Sequence, residues 1–269
     1  MKLAASLAGW RRMFRSSRAP GGSDPGGRAV VHAMVNGSVS RTHVGRIRAI
    51  NEDRLLECPQ DGFWAVADGM GGHTAGDVAA EAVIAGLQQL ASSGGPVTVA
   101  TVTAALELIN TELRQNAADG VAVSGATVVV LFLDGQCATI LWVGDCRAYR
   151  VRDKCLHQLT RDHSLVQELV DSGTLTPDQA DGHPQSHVVT RALGAADSLV
   201  VDHVTVEFRA SDTFLLSSDG LGRAGRNLAS IMTRHDGLDE IAEALLAQAL
   251  GDDGRDNISL ILVRTDARA

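Results

Sequence analysis

The sequence predicts an α+β fold of layered, mainly antiparallel sheets, on three observations. β-like runs follow one another as hairpins, helical blocks come in consecutive pairs, and strict strand–helix–strand alternation is missing. The 269 residues are 45% hydrophobic and 21% charged, which suits a sizeable core. Aromatics contribute only 3%, so that core must be built from Val, Leu, Ile and Ala.

The elements follow from periodicity. Phe63–Ala67 is a short apolar run that ends in Asp68. Asp77–Ala91 carries Val78, Ala82, Val83, Leu87 and Leu90 at helical spacing. After the linker Ser92–Pro96, a second helix steps through Val99, Val102, Leu106, Ile109 and Leu113. Two helices joined by so short a Gly-Pro linker predict an antiparallel pair in one layer. The period then changes. Thr127–Leu133 and Ala138–Val143 are β-branched-rich runs separated by Asp134-Gly135, a hairpin signal. Ala148–Arg152 offers a further strand, and Ser164–Ser172 reads as a helix capped by Ser164 and stopped by Gly173. Strands return at Val201–Phe208 and Thr213–Ser217. A helix over Leu238–Leu250 is expected to stop at Gly251, and Ile258–Val263 closes the pattern as a strand.

Composition narrows the function. A formal net charge of -8 argues against a general nucleic-acid binder. Cys58, Cys137, Cys146 and Cys155 form no CxxC pair, which fits a reduced, cytoplasmic protein. No apolar run approaches the roughly 18 residues of a membrane span. Residues 1–35 stand apart: Lys2, Arg11, Arg12, Arg15 and Arg18 make them basic, and Gly21–Gly27 is rich in Gly, Ser and Pro. They read as a flexible basic tail, with a targeting peptide as the alternative and Met34 as a second potential start. One folded domain is expected over 36–266.

The chemistry-bearing residues are aspartates where strands end. Asp68 precedes Gly-Met-Gly-Gly-His73, Asp145 follows Trp-Val-Gly, Asp219 sits in Ser-Ser-Asp-Gly, and Asp256 precedes Asn257 and the last strand. Each alone reads as a turn residue. As a set, they can converge on hard cations that prefer oxygen ligands. Zinc is a poor competitor, because no histidine pairs with cysteine at finger or ribbon spacing. Arg48-Ala-Ile-Asn-Glu52-Asp53 adds a guanidinium, suited to bidentate phosphate binding, and two more acids.

Taken in order, these motifs resemble the protein phosphatase 2C family of metal-dependent phosphatases, in its bacterial form. The matching segments are Arg48-xx-Asn51-Glu52-Asp53, Asp68-Gly-Met-Gly-Gly-His73-xx-Gly76, Gly144-Asp145-Cys146-Arg147 and Leu159-Thr-Arg-Asp-His163-Ser. His183-Pro184, Thr190-Arg-Ala-Leu-Gly194, Ser218-Asp219-Gly220-Leu221 and Asp256-Asn257-Ile-Ser259 complete the series. The departures are modest: Cys146 replaces a common Ser, Ala126 a common Thr and His187 a common Asn.

The resemblance implies a four-layer α-β-β-α sandwich of two antiparallel sheets flanked by antiparallel helix pairs, with the catalytic domain at 36–266 and a mobile flap at about 162–196. It implies hydrolysis of phosphoserine or phosphothreonine in proteins by a metal-bridging hydroxide, with two core Mn²⁺ or Mg²⁺ ions and a weaker third. Asp68 would bridge both ions, the Gly69 carbonyl would join one, and Asp219 and Asp256 would complete the other. Glu52 or Asp53 would act through water, and Asp145 with Asp219 would hold the third ion. Arg48 would bind phosphate. His73 would protonate the leaving oxygen, or equally would orient a carboxylate or water. Partners would be phosphorylated proteins, a bacterial Ser/Thr kinase and its substrates. The alternative is a catalytically silent phosphoprotein-binding module of the same fold.

Overall fold

A computed structural model of the chain describes residues 35–71, 75–118, 124–222 and 225–266. The tail at 1–34 and His73 lie outside the described residues. Among the described residues ten strands form two five-stranded sheets in which every pairing is antiparallel. The first sheet has the order β2 (Asp53–Cys58), β3 (Phe63–Met70), β4 (Gly125–Asp134), β5 (Cys137–Val143) and β8 (Asp202–Glu207). The second has the order β1 (Val35–His43), β10 (Ile258–Thr265), β9 (Thr213–Ser217), β6 (Arg147–Arg152) and β7 (Cys155–Gln158).

Alternation along the strands divides the core into three layers. Trp64, Val66, Val129, Leu131, Phe214, Leu216, Ile261 and Val263 face inward and fill the space between the sheets. The opposite face of β3 and β4 presents Ala65, Ala67, Val128 and Val130 to helices α1 (Ala75–Ser92) and α2 (Val99–Ala118). The opposite face of β9 and β10 presents Leu215, Leu260 and Leu262 to α5 (Gly225–Arg234) and α6 (Leu238–Asp252). The result is the α-β-β-α sandwich that the resemblance implies. Two short helices, α3 (Leu165–Asp171) and α4 (Pro177–Asp181), lie in the segment between β7 and β8.

Several boundaries differ from the sequence reading. The buried stripe of α1 runs through Ala79, Ala80, Val83, Leu87 and Leu90, whereas Val78 faces solvent at 45% exposure. Small alanines let that helix lie close on the sheet, which a count of large apolar residues does not register. Helix α6 passes through Gly251 to Asp252, and Gly254 supplies the left-handed residue after its end, with φ +58°. The turn between β6 and β7 uses Asp153 and Lys154, both at positive φ, so this hairpin forms without glycine. Helix α3 is capped by Ser164, as its sequence predicts.

Leu87 is fully buried beneath the α1–α2 layer. Leu87→Ala is expected to cost about 2–5 kcal/mol through lost burial and a residual cavity. Urea unfolding checks this, and a loss below about 1 kcal/mol would show that the layer collapses around the gap.

Candidate metal centre

The inward-facing rows of the two sheets change character at one end. On β3 the row Trp64, Val66 continues to Asp68; on β4 the row Leu131, Val129 continues to Thr127. Asp53 on β2 lies directly opposite Asp68, and Asp68 directly opposite Thr127. In the facing sheet, Phe214 and Leu216 are followed by Ser218, and Val263 and Ile261 by Ser259. The period of two that builds the core therefore delivers acids and hydroxyls to one end of the space between the sheets.

Short connections bring the other acids to the same place. Ser218 leads into a single 3-10 turn, Asp219–Leu221. A Cβ at Gly220 would lie 1.8 Å from the Asn257 carbonyl oxygen, so only glycine lets this turn approach Asn257 and Asp256. Gly144 precedes Asp145 with φ +102°, and a Cβ there would collide with Thr127. Asn257 ties the strand ends together: its side chain accepts from the Glu52 N–H at 2.8 Å and donates to the carbonyls of Val44 and Ile50.

The carboxylates are crowded and underpaired. Asp53 is 3% and Asp145 5% exposed. Ser218 Oγ donates to one oxygen of Asp53 at 2.8 Å. Glu52 Oε1, Asp53 Oδ1 and Asp219 Oδ1 are buried with no hydrogen-bond partner among the described residues. Buried anionic oxygens without donors are costly, and a cation relieves that cost. Burial first, then Asp219 and Asp256, pushes the Asp53 carboxyl up to about 7. Burial, then Asp219 and Asp162, pushes Asp145 up to about 8. Asp68 is raised well above the carboxylate range by burial and by the charges of Asp53, Asp219, Asp145 and Asp256. Asp219 is raised too, by burial and then Asp256.

These groups open onto a cleft of about 730 Å³ whose lining includes Glu52, Asp68, Gly69, Asp145, Asp219 and Asp256. Asp53 does not line it and sits beneath, between the sheets. Among the described residues no three His, Cys, Asp or Glu side chains converge tightly enough to hold an ion alone. Orphaned oxygens around a water-accessible cleft fit cations that keep part of their hydration shell, as Mg²⁺ does and as hard oxygen sites permit for Mn²⁺. Arg48 lines the same cleft, with Nη2 2.7 Å from Asp256 Oδ2.

Two buried contacts brace Asp145 from behind, and no role was assigned to them in the sequence. Arg147 pairs with Asp162 through Nε at 3.0 Å to both oxygens and Nη2 at 2.5 Å. His163 Nδ1 accepts from the Gly144 N–H at 3.0 Å, which places the ring proton on Nε2, 3.2 Å from Asp202 Oδ2. Burial lowers the His163 pKa and keeps the ring neutral, as that acceptor role requires. Both contacts lie in motifs quoted above, Gly144–Arg147 and Leu159–Ser164, so the signal was present as spacing without a function attached.

Two predictions follow from this geometry. Carboxyls at about 7 and 8 hold protons that the unfolded chain, near pKa 3.9, has released. The folded state then binds more protons than the unfolded, so metal-free stability falls as pH rises from about 4 to about 8. Melting in EDTA is expected to drop between about pH 5 and pH 8, with Mn²⁺ stabilising more at the higher pH. The drop should shrink in Asp145→Asn, and an EDTA melting temperature that climbs across this range would contradict the linkage. Separately, His163→Leu orphans the Gly144 N–H and is expected to cost about 1–3 kcal/mol in urea unfolding, while His163→Asn restores the acceptor and most of that stability.

Comparison with known proteins identifies relatives of this chain in sequence and in fold. Residues 36–169 match the family model described as protein phosphatase 2C. The chain is 35% identical over 242 residues to a serine/threonine phosphatase stp of Listeria monocytogenes, covering 84% of this chain and 94% of that one. The solved structure of PppA, a key regulatory component of T6SS in Pseudomonas aeruginosa, superposes with a TM-score of 0.77 at 36% identity, covering 86% of this chain and 99% of that one. The catalytic domain of the serine/threonine protein phosphatase PstP, in complex with two manganese ions, gives a TM-score of 0.78 at 31% identity over 87% of this chain and 99% of that one. By fold, ordered motifs and relatives alike, the chain belongs to the protein phosphatase 2C family.

Proposed function

We propose that this chain, a serine/threonine phosphatase by its family, hydrolyses phosphoserine and phosphothreonine in cytoplasmic proteins and so opposes a Ser/Thr kinase. The observation that carries the reading is the ring of carboxylates with buried, unpartnered oxygens at the floor of a cleft that Arg48 also lines. Asp68, the Gly69 carbonyl, Asp219 and Asp256 would hold two core cations, Mn²⁺ or Mg²⁺, with Glu52 or Asp53 acting through water. Asp145 and Asp219 would hold a weaker third. When bound, the cations supply a water activated for in-line attack on phosphorus.

The chain's own residues do the rest. The guanidinium of Arg48 already rests on Asp256, so its donors stand beside the place where phosphate oxygens would gather. There it would orient the phosphoryl group and offset its charge. His73 is assigned the proton for the leaving seryl or threonyl oxygen. The Arg147–Asp162 pair and the His163–Gly144 bond keep the Asp145 loop from moving when cations bind. The segment at about 162–196 is closed on itself by the bridge Ser164–Val189 and joined to β4 by the bridge Ala126–Leu193. We assign to its mobility a part in choosing the phosphoprotein.

Phosphate release from a phosphothreonine peptide tests this. Turnover is expected with Mn²⁺, none in EDTA, and a loss of about a hundredfold or more in Asp219→Ala. Arg48→Ala is expected to raise KM for the peptide without lowering the melting temperature. Folded protein that turns over nothing with Mn²⁺ or Mg²⁺ would leave only the binding-module alternative.

A further inference from the structure

Among the described residues four large apolar side chains are exposed, and two of them, Ile47 at 73% and Ile50 at 41%, belong to one loop. That loop is pinned. The Arg46 N–H donates to the Gly254 carbonyl at 2.7 Å, and Asn257 Nδ2 holds the carbonyls of Val44 and Ile50 at 2.9 and 3.0 Å. Gly45 turns with φ +83° against the backbone of Asp256. The isoleucines are therefore presented outward by a backbone fixed at both ends.

The turn that pins the loop carries Arg255, whose side chain is 80% exposed and lines the same cleft as Arg48. Its Nε rests 3.1 Å from Asp253 Oδ2, and its terminal nitrogens have no partner among the described residues. Arg48 lies one residue beyond Ile47 and lines the cleft. Arg48 and Arg255 line the cleft, and the two exposed isoleucines sit on the pinned loop that carries Arg46 and Arg48, on a chain whose net charge is -8. Isolated surface isoleucines need no explanation, but a rigid pair framed by arginines beside the site does.

We propose that this rim docks the segment of the phosphoprotein next to the phosphorylated residue and selects one in which an acidic residue neighbours an aliphatic one. This rests on the phosphatase reading above and names its substrate class. Arg255 receives the acidic side chain through its free nitrogens, Ile47 and Ile50 cover the aliphatic one, and Arg48 is kept for the phosphate. Because the loop is already ordered, docking loses little conformational entropy.

Fluorescence anisotropy on the full chain with Mn²⁺ tests the proposal, using labelled peptides that carry a non-hydrolysable phosphonate analogue of phosphothreonine. A Glu-Leu flank is expected to bind about tenfold tighter than a Lys-Ser flank. Arg255→Ala and Ile47→Ser should each remove several-fold of that preference while p-nitrophenyl phosphate hydrolysis stays unchanged, and salt at about 0.5 M should remove only the Arg255 share. Equal binding of both flanks, or variants that weaken both peptides alike, would overturn the proposal. So would Ile47-dependent binding to phosphatidylglycerol vesicles with no peptide preference. Failure of the phosphatase reading shows itself differently, as absent aryl phosphate hydrolysis beside an intact flank preference.

Discussion

Repulsion among the aspartates that surround Asp68 is the constraint around which the rest of this molecule is arranged. Asp53, Asp145, Asp219 and Asp256 each raise the Asp68 carboxyl, and all are brought there by separate strands or turns. Folding gathers like charges on largely buried carboxylates at the floor of the cleft, an arrangement that opposes folding unless something positive offsets it. Part of the offset is built in, since Arg147 and Arg48 both favour the ionised form of Asp219. The remainder is left to cations, and so the same geometry that weakens the metal-free protein gives it a strong preference for binding them.

The position of this cluster follows from the core. Large aliphatic and aromatic residues fill the space between the sheets as far as Val66, Val129, Leu216 and Ile261. One step further along the same faces the strands carry Asp68, Thr127, Ser218 and Ser259. A well-packed layer therefore acts as the floor of the site and sets the spacing of its side chains. Ser218 illustrates the coupling: its hydroxyl donates to Asp53 in one sheet while accepting the Ser259 N–H in the other.

Much of this was legible in the sequence, for reasons that particular elements make plain. Strands β3, β4, β5 and β9 each carry an apolar run that stops at or just before an Asp or Gly, namely Asp68, Asp134, Gly144 and Asp219, so period and punctuation agree. Helix α2 shows its buried stripe outright at Val102, Leu106, Ile109 and Leu113. By contrast, β1 reads Val-Asn-Gly-Ser-Val-Ser-Arg-Thr-His, with no apolar run, and is a strand because β10 offers it a full ladder of partners. Strand β7 and its glycine-free turn were equally silent. In the site, the acids could be read off because they break apolar runs. Arg147, Asp162 and His163 act through contacts between residues 15 and 19 positions apart, and no local pattern states which of them will meet.

The pairing of β1 with β10 ties one of the first described strands to the last. Asp68 and Asp53 are in place once β2 and β3 meet, but Asp219 and Asp256 flank β9 and β10, which follow every strand of the first sheet in the chain. A ribosome-bound chain that has completed the α1–α2 half thus holds an acidic edge and no metal centre. Closure of the second sheet, a pairing of high contact order, is then the step that brings Asp219 and Asp256 to Asp68 and completes the acidic cluster.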